Sequence, residues 1–488
     1  MRSAEKKRNS TCQLADSVAE LVLNAYRSSD PFIEGSVPPQ TVCAGFCILN
    51  RNVTDRPLRL VSWATGTKFV PPDILATDLE GKLVRDSHAE PLARRGLLRF
   101  LWVELHKAKA GQESVLKPAD QMDAESAKSF YMLDPNMEIL MYSSSMPCGN
   151  ASLKRWAKGK KEVHRHELGP LSYPCEQHPH LHITAQAEGQ VALLLKGEAL
   201  RETAGEASTA VVANLCQQET KSKGREGTIA PGTRRPTGLE LGTMTCSDKI
   251  ARWSVLGIQG ALLSRWIQPI YMAGIIIGRK FSFEHARRAL CCRLVGRKRK
   301  APSGSKSVNG EAMYSLHHPS LMGTAVKLDE KVICTDAQKG ASSGATFGNG
   351  DGNSPCLVWT AGDPGPERID GRRGTSLDAS DGISTVSRRA LYAHFVRATV
   401  SDEGMPSKEM GYQHAKLQHA SRNYTQARND LIGPNGLFSD WIHSRLDDWT
   451  LNAFEYDEAV AQLESSISPP PFNSENKEEE NDRTFGEV

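Results

Sequence analysis

Residues 85–105 read Arg-Asp-Ser-His-Ala-Glu-Pro-Leu-Ala-Arg-Arg-Gly-Leu-Leu-Arg-Phe-Leu-Trp-Val-Glu-Leu. Leu92, Leu97, Leu98, Leu101 and Leu105 recur at helical spacing, so the stretch predicts a helix with one apolar face. Arg94, Arg95 and Arg99 interrupt that run. A His-x-Glu pair, His88 and Glu90, opens it. An imidazole can ligate a metal, and a carboxylate two residues on can sit beside that metal without binding it and carry protons. Chance produces many such triplets. Two later segments add weight by each presenting a cysteine in a similar setting: Met-Pro-Cys148-Gly-Asn-Ala-Ser-Leu and Gly-Thr-Met-Thr-Cys246-Ser-Asp-Lys-Ile-Ala-Arg-Trp.

The 488 residues are enough for a large core and for more than one domain. With 60 basic and 57 acidic side chains the net charge is only +3, so charge alone implies no nucleic-acid partner. The eleven cysteines are odd in number and irregularly spaced, which predicts free or metal-bound thiols in a reducing compartment. The first residues lack the apolar run of a signal peptide, and no stretch is long and apolar enough to span a membrane. The expectation is an intracellular protein of nucleus and cytoplasm, with Gly296–Lys300 (GRKRK) readable as a nuclear import signal or a solvated linker.

In chain order, residues 13–28 predict a helix with Leu14, Val18, Leu21, Val22 and Tyr26 inward. Residues 43–49 and 58–63 read as two strands of a hairpin, and 64–73 as a loop carrying Thr67 and Lys68. After the His88 helix come a strand at 137–144, a Pro-Cys-Gly turn, and a polar insertion at about 156–240. Cys246 opens a helix with Ile250, Trp253 and Leu256 inward; a strand at 270–278 and a helix from Phe283 follow. Residues 296–312 and 338–354 are low-complexity linkers within a longer insertion at 296–354, and 361–386 reads as a further loop insertion. Helices are expected across 384–400 and 411–432, and an acidic disordered tail over 466–488. The predicted organisation is an N-terminal helical segment (1–42), one large domain (43–465) and that tail.

One imidazole and two thiolates, with a fourth position open, describe a catalytic rather than a structural zinc site. Water in that position becomes a usable nucleophile near neutral pH. Both cysteines lie beside helix starts, where the helix dipole favours thiolate. Taken singly, Cys148 and Cys246 also fit buried structural thiols, and His88 an ordinary helix-start histidine. The set of four carries the metal reading.

These motifs resemble the adenosine deaminases acting on RNA, and closely resemble the tRNA-specific branch. The matching residues are Gly66-Thr67-Lys68, Asp86–Glu90 with Arg94–Leu101, Pro147-Cys148-Gly149, and Cys246–Trp253 with Gly257–Gly260 and Leu262–Ser264; shorter echoes are Val358–Asp363, Arg388–Tyr392 and Tyr412-x3-Lys416. The wide gap between Cys148 and Cys246 is itself typical of the RNA adenosine deaminases, where other zinc deaminases close with cysteines two residues apart. The resemblance implies a cytidine-deaminase-like α/β core, a mixed sheet flanked by helices, with long loop insertions and a C-terminal helical extension. It implies His88, Cys148 and Cys246 as zinc ligands and Glu90 as proton shuttle. The reaction would be attack at C6 of adenine and loss of ammonia, giving inosine. Thr67 and Lys68 fall where relatives contact the target nucleotide.

Relatives also bury inositol hexakisphosphate. Arg94, Arg95, Lys249, Arg252, Trp253, Arg388, Tyr412, Lys416, Tyr424, Arg428 and Trp441 lie at or near the matching positions, and Lys249 with Asp86 would link that ligand to the metal site. Cations gathered inside a core need polyanionic compensation. Singly, Arg94, Lys416 and Arg428 also read as solvated helix-face charges. Ala261 stands where relatives offer a serine, Arg388 and Arg428 where they carry lysines, and Ser444 where a lysine is expected.

Fewer than fifty residues precede the first core strand, so no separate duplex-binding domain is expected there, and the substrate expected is tRNA. The resemblance implies the adenosine at position 37 of alanine tRNA. The basic stretches Lys154–Lys161 and Lys221–Arg235 could meet phosphates or solvent, and Glu226 falls in an echo of a base-flipping loop. The alternatives are an editor of double-stranded RNA, a cytidine or free-nucleoside deaminase, or a non-catalytic pseudo-deaminase that binds RNA. Oligomeric state is not readable.

Overall fold

The computed structural model describes residues 2–29, 41–55, 57–122, 129–152, 192–196, 200–202, 243–294, 314–328, 355–400, 410–433, 449–451, 455 and 457–458. In chain order its elements begin with α1 (Arg2–Ser28), β1 (Cys43–Asn50), β2 (Leu58–Thr65), β3 (Thr67–Phe69), the one-turn α2 (Pro72–Leu75), β4 (Asp86–His88) and α3 (Ala89–Lys109). Next come β5 (Leu116–Met122), β6 (Ser129–Leu133), β7 (Met137–Ser145), β8 (Ala192–Lys196), β9 (Leu200–Glu202), β10 (Thr243–Met244), α4 (Cys246–Leu256) and the short α5 (Gly260–Leu263). The chain continues through β11 (Met272–Arg279), α6 (Phe283–Leu290), β12 (Ser320–Gly323), β13 (Cys356–Thr360), β14 (Glu367–Asp370), β15 (Thr375–Ser376), α7 (Arg388–Val400), α8 (Tyr412–Gln418) and α9 (Arg422–Ile432).

An eight-stranded mixed sheet in the order β12-β11-β7-β1-β2-β13-β14-β15 forms the centre. β7, β11 and β12 run parallel, and the remaining neighbours are antiparallel. Both faces of the sheet are covered, which is why its central strands read as nearly continuous apolar runs. The pleat divides β1 between two layers. Ala44, Phe46 and Ile48 join the core that contains Leu92, Leu97 and Leu101 of α3. Cys43, Cys47 and Leu49 face the opposite layer, with Ala15, Val18, Val22 and Tyr26 of α1. Fully burying a side chain such as Phe46 or Leu97 contributes roughly 1.5–3 kcal/mol, so these two layers carry much of the fold.

The α/β class and the mixed sheet flanked by helices are those expected. Several local readings need correction. Residues 64–73 are not all loop: β3 pairs antiparallel with β4, placing Thr67 opposite His88, Lys68 opposite Ser87 and Phe69 opposite Asp86. Three-residue strands are too short for alternation to show in sequence. Residues 361–386 are not a plain loop either, since β14 and β15 extend the main sheet there. On α1, Ala15, Ala19 and Leu23 take core positions while Leu14 and Leu21 are only partly buried. Small alanines let that helix lie close on the sheet. On α3, Leu98 likewise sits at the margin.

The expected insertion at 156–240 lies outside the described residues apart from β8 and β9, which pair with each other, β8 also pairing with β10. The expected linkers at 296–312 and 338–354, the tail at 466–488 and the position of Trp441 also lie outside them. No helix among the described residues is long and apolar enough to cross a membrane.

Candidate active site

His88 ends β4 and caps α3 with extended backbone, φ −68° and ψ 145°. Its Nδ1 lies 2.8 Å from Asp86 Oδ1 and 3.1 Å from the Lys68 carbonyl oxygen. Both neighbours are acceptors, so Nδ1 carries the proton and Nε2 keeps its lone pair for a metal. The Asp86 Oδ1 atom also accepts the His88 amide at 3.1 Å. A carboxylate behind a ligating histidine is the usual device for fixing ring orientation and raising ligand basicity. Gly66 makes this corner possible. At its φ of +150°, a Cβ would sit 2.0 Å from the Ser87 carbonyl oxygen, so only glycine lets β2 turn into β3 against β4.

Cys148 follows β7 in the Pro-Cys-Gly turn, and Cys246 is the first residue of α4. The Cys246 amide donates to Cys148 Sγ at 3.3 Å, and the Ser247 amide donates to the Cys148 carbonyl at 3.0 Å. Two donors from one helix N-terminus therefore hold the Cys148 segment, and the sulfur sits where the helix dipole favours thiolate. Thr245 caps α4: its hydroxyl accepts the Asp248 amide at 3.3 Å and donates to Asp248 Oδ2 at 2.7 Å. Gly149, with φ +95°, packs against that cap, and a Cβ there would lie 2.2 Å from Thr245 Oγ1. The glycine after Cys148 is thus what lets the turn meet the helix.

The two halves are tied together. Lys249, one turn into α4, forms an ion pair and hydrogen bond with Asp86 Oδ2. Lys249, Asp86 and His88 form one continuous polar chain from α4 to the β4–α3 junction. Glu90 is buried, 3% exposed, in the first turn of α3. Ser143, near the end of β7, places its hydroxyl 3.4 Å from Glu90 Oε1 and 2.8 Å from the Ser145 carbonyl. One imidazole with a free nitrogen, two thiols at a helix start and an enclosed carboxylate make a donor set suited to zinc. Among the described residues, the three ligand atoms that all lie within 4.8 Å of one another belong to a different set, Cys291, Cys292 and His318. Replacing Asp86 by asparagine should lower zinc affinity about 10–100-fold, measurable by competition with a chromophoric chelator.

A second feature lies behind this chain. Arg94 and Arg95 project from α3 with Arg94 Nε and Arg95 Nη2 fully enclosed and without a hydrogen-bond partner. Burial lowers the Arg94 pKa to about 10, and Arg252 and Arg95 push it the same way. Burial also lowers Arg95 to about 10, with Arg388 and Arg85 adding. Burial on its own would raise the Tyr412 phenol, yet Lys416, Arg388, Arg95 and Arg85 hold it below its ordinary value. Lys416 is held up by Tyr412, but burial, Arg388 and Arg252 leave its pKa lowered. Arg428 is lowered by burial and then by Arg252. The Arg94 guanidinium carbon stands 5.1 Å over the Trp253 ring, and Lys416 Nζ 5.0 Å over Tyr412. Cations from α3, α4, α7, α8 and α9 therefore converge, and enclosed guanidinium nitrogens without partners fit a polyanion in their midst. Sequence reasoning missed Arg85. It precedes β4, is lowered to about 10 by burial and then by Arg388, and pairs with Asp78 at 3.4 Å. Its place beside Asp86 was the available signal. Thr67 is exposed and Lys68 half-buried on β3, one strand from His88.

A family model of the adenosine-deaminase (editase) domain matches residues 62–445. The chain is 28% identical to the mouse double-stranded RNA-specific adenosine deaminase over 396 residues, 78% of this chain and 28% of that protein. It is 25% identical to the double-stranded RNA-specific editase Adar of Drosophila melanogaster over 460 residues, 91% of this chain and 55% of that one. Against the Drosophila melanogaster tRNA-specific adenosine deaminase 1 it is 30% identical over 259 residues, 53% of each. The chain thus spans about half or less of the length of these relatives. The family match takes in β3, β4 and α3 with His88 and Glu90, the Cys148 turn, the Cys246 helix and the helices that bring the cations together; the chain belongs to the adenosine-deaminase (editase) domain family.

Proposed function

We propose that this chain is a hydrolase that converts adenosine to inosine in RNA, with water as co-substrate and ammonia as co-product. The observation that carries the reading is the chain Lys249–Asp86–His88, which joins the Cys246 helix to the strand end where Glu90 is enclosed. His88, Cys148 and Cys246 would hold zinc, which supplies an acidified water when bound. Asp86 fixes the His88 ring, and the α4 N-terminus keeps the two sulfurs as thiolates. Glu90 takes a proton from the attacking water and returns protons to the purine ring and the departing ammonia. Thr67 and Lys68, on the strand beside His88, contact the target nucleotide. The converging cations hold inositol hexakisphosphate.

Within RNA, we infer a tRNA substrate, the adenosine at position 37 of alanine tRNA. A loop base is already partly unstacked, so extruding it into a deep pocket costs less than from a duplex. The 30% identity to a tRNA-specific relative supports this choice. The longer matches to duplex-specific relatives, 78% and 91% of the chain, favour an editor of double-stranded RNA as the second reading. Incubating purified protein with alanine tRNA, a second tRNA, a long RNA duplex and free adenosine, and mapping inosine by position, separates them. Inosine confined to position 37 of alanine tRNA supports the first reading. Inosine along the duplex replaces it with the second. No inosine from zinc-loaded protein defeats both.

A further inference from the structure

We propose a second metal site, a zinc clip formed by Cys291, Cys292 and His318, that fastens the end of α6 to the segment leading into β12. It does not rest on the deaminase reading. The three ligand atoms all lie within 4.8 Å of one another. Cys291 Sγ is 3.7 Å from Cys292 Sγ, and Cys292 Sγ is 3.6 Å from His318 Nδ1. Zinc bond lengths of about 2.3 Å to sulfur and about 2.0 Å to nitrogen, at tetrahedral angles, set ligand–ligand edges near 3.8 Å and 3.5 Å. The observed separations match both edges. Their types are those a borderline-soft cation selects, with no carboxylate among them.

Three protein ligands would leave the fourth position to water, as in a catalytic zinc site, but what the ion would do here is join two segments. Cys291 and Cys292 are 0% and 1% exposed and pack with Leu316, so water has little access to the sulfurs. His318 is half-buried and leaves a way in for the metal. The Cys291 thiol donates to the Arg287 carbonyl at 3.4 Å; binding would send that proton and the Cys292 proton to solvent. The neighbouring residue is already anchored: the His317 amide donates to the Ser254 carbonyl at 2.7 Å, and its ring stacks on Tyr271 at 5.1 Å. Ser254 in turn donates to the Leu290 carbonyl at 3.1 Å, bracing α4 on α6. Cys292 and His318 are 26 positions apart, so an ion joining them closes a loop whose ordering otherwise opposes folding. The clip stands behind the helix that begins with Cys246.

Native mass spectrometry of the zinc-loaded full chain tests the site. His318→Gln and Cys292→Ala should each carry one zinc fewer than the unaltered chain, while Cys292→His should keep the count. The comparison holds whether the unaltered chain binds two ions or, should the His88 site bind none, one. An unchanged count in both His318→Gln and Cys292→Ala overturns the proposal. If those variants fail to fold, zinc-edge anomalous diffraction from crystals of the unaltered chain decides. A peak bonded to Cys292 Sγ and His318 Nδ1 is the expected result. An empty position, or a bond between the two sulfurs in its place, overturns it.

Discussion

Glu90→Ala should lower deamination by about 10²–10⁴-fold, the usual range for loss of a positioned proton carrier, and leave zinc content unchanged. The carboxylate is enclosed at the start of α3, with the Ser143 hydroxyl 3.4 Å away, whereas the donors proposed for the metal are His88, Cys148 and Cys246. Removing it therefore leaves the donor set intact and takes away the group that moves protons. Glu90→Gln is the sharper version, because it keeps the volume and the contact with Ser143 but cannot accept and return a proton. Single-turnover rates on RNA, with zinc measured on the same preparation, check both. Normal turnover in Glu90→Gln would remove the proton-shuttle role. Loss of zinc together with activity would instead make Glu90 part of the metal's support.

Much of this arrangement was legible in sequence because its signals are local. The helix from Ala89 shows its apolar stripe from Leu92 to Leu105, and Leu92, Leu97, Leu101 and Leu105 are all in the core. The Cys246 helix announces itself through Ile250, Trp253 and Leu256, all buried. Pairings across long separations were not legible. β3 and β4 are three residues each, and their register depends on Gly66 accepting a backbone shape that no pattern of hydrophobicity encodes. The sheet edge formed by β14 and β15 was hidden for the same reason, lying in a stretch rich in glycine and aspartate. In sequence Arg99 only interrupts the apolar run of the helix; in the fold it binds the Asp363 carboxylate through Nη1 at 2.7 Å, tying α3 to the β13 end. Cys291 and Cys292 read as helix interior, since only the fold brings His318 to them. A doublet of cysteines followed by a doublet of histidines was the one available cue.

Arg94→Met should destabilise the protein by about 3–5 kcal/mol, the cost of removing one partner from a buried ionic arrangement. The sign of the effect matters more than its size. Were the cations around Arg94 to face only one another, exchanging this one for an apolar side chain of similar length would relieve both desolvation and the repulsion from Arg252 and Arg95, and the variant would be more stable. Methionine also keeps packing against Trp253, over which the guanidinium sits, so lost contact area is a small part of the outcome. With a polyanion in place, the same change leaves phosphate charge without one of its enclosed donors, and stability falls. Urea unfolding of the full chain measures the sign directly. Arg51→Met supplies the baseline: Arg51 is paired with Glu138 at 2.7 Å but its side chain is 60% exposed, so a change of only about 0–1 kcal/mol is expected. Release of inositol hexakisphosphate on denaturing the unaltered chain, at one per chain, would accompany a destabilised Arg94→Met. A stabilised Arg94→Met, with no phosphate released, would mean that Tyr412 and the half-buried surfaces of Arg388 and Lys416 tolerate the clustered charge unaided, and that the fold needs no polyanion.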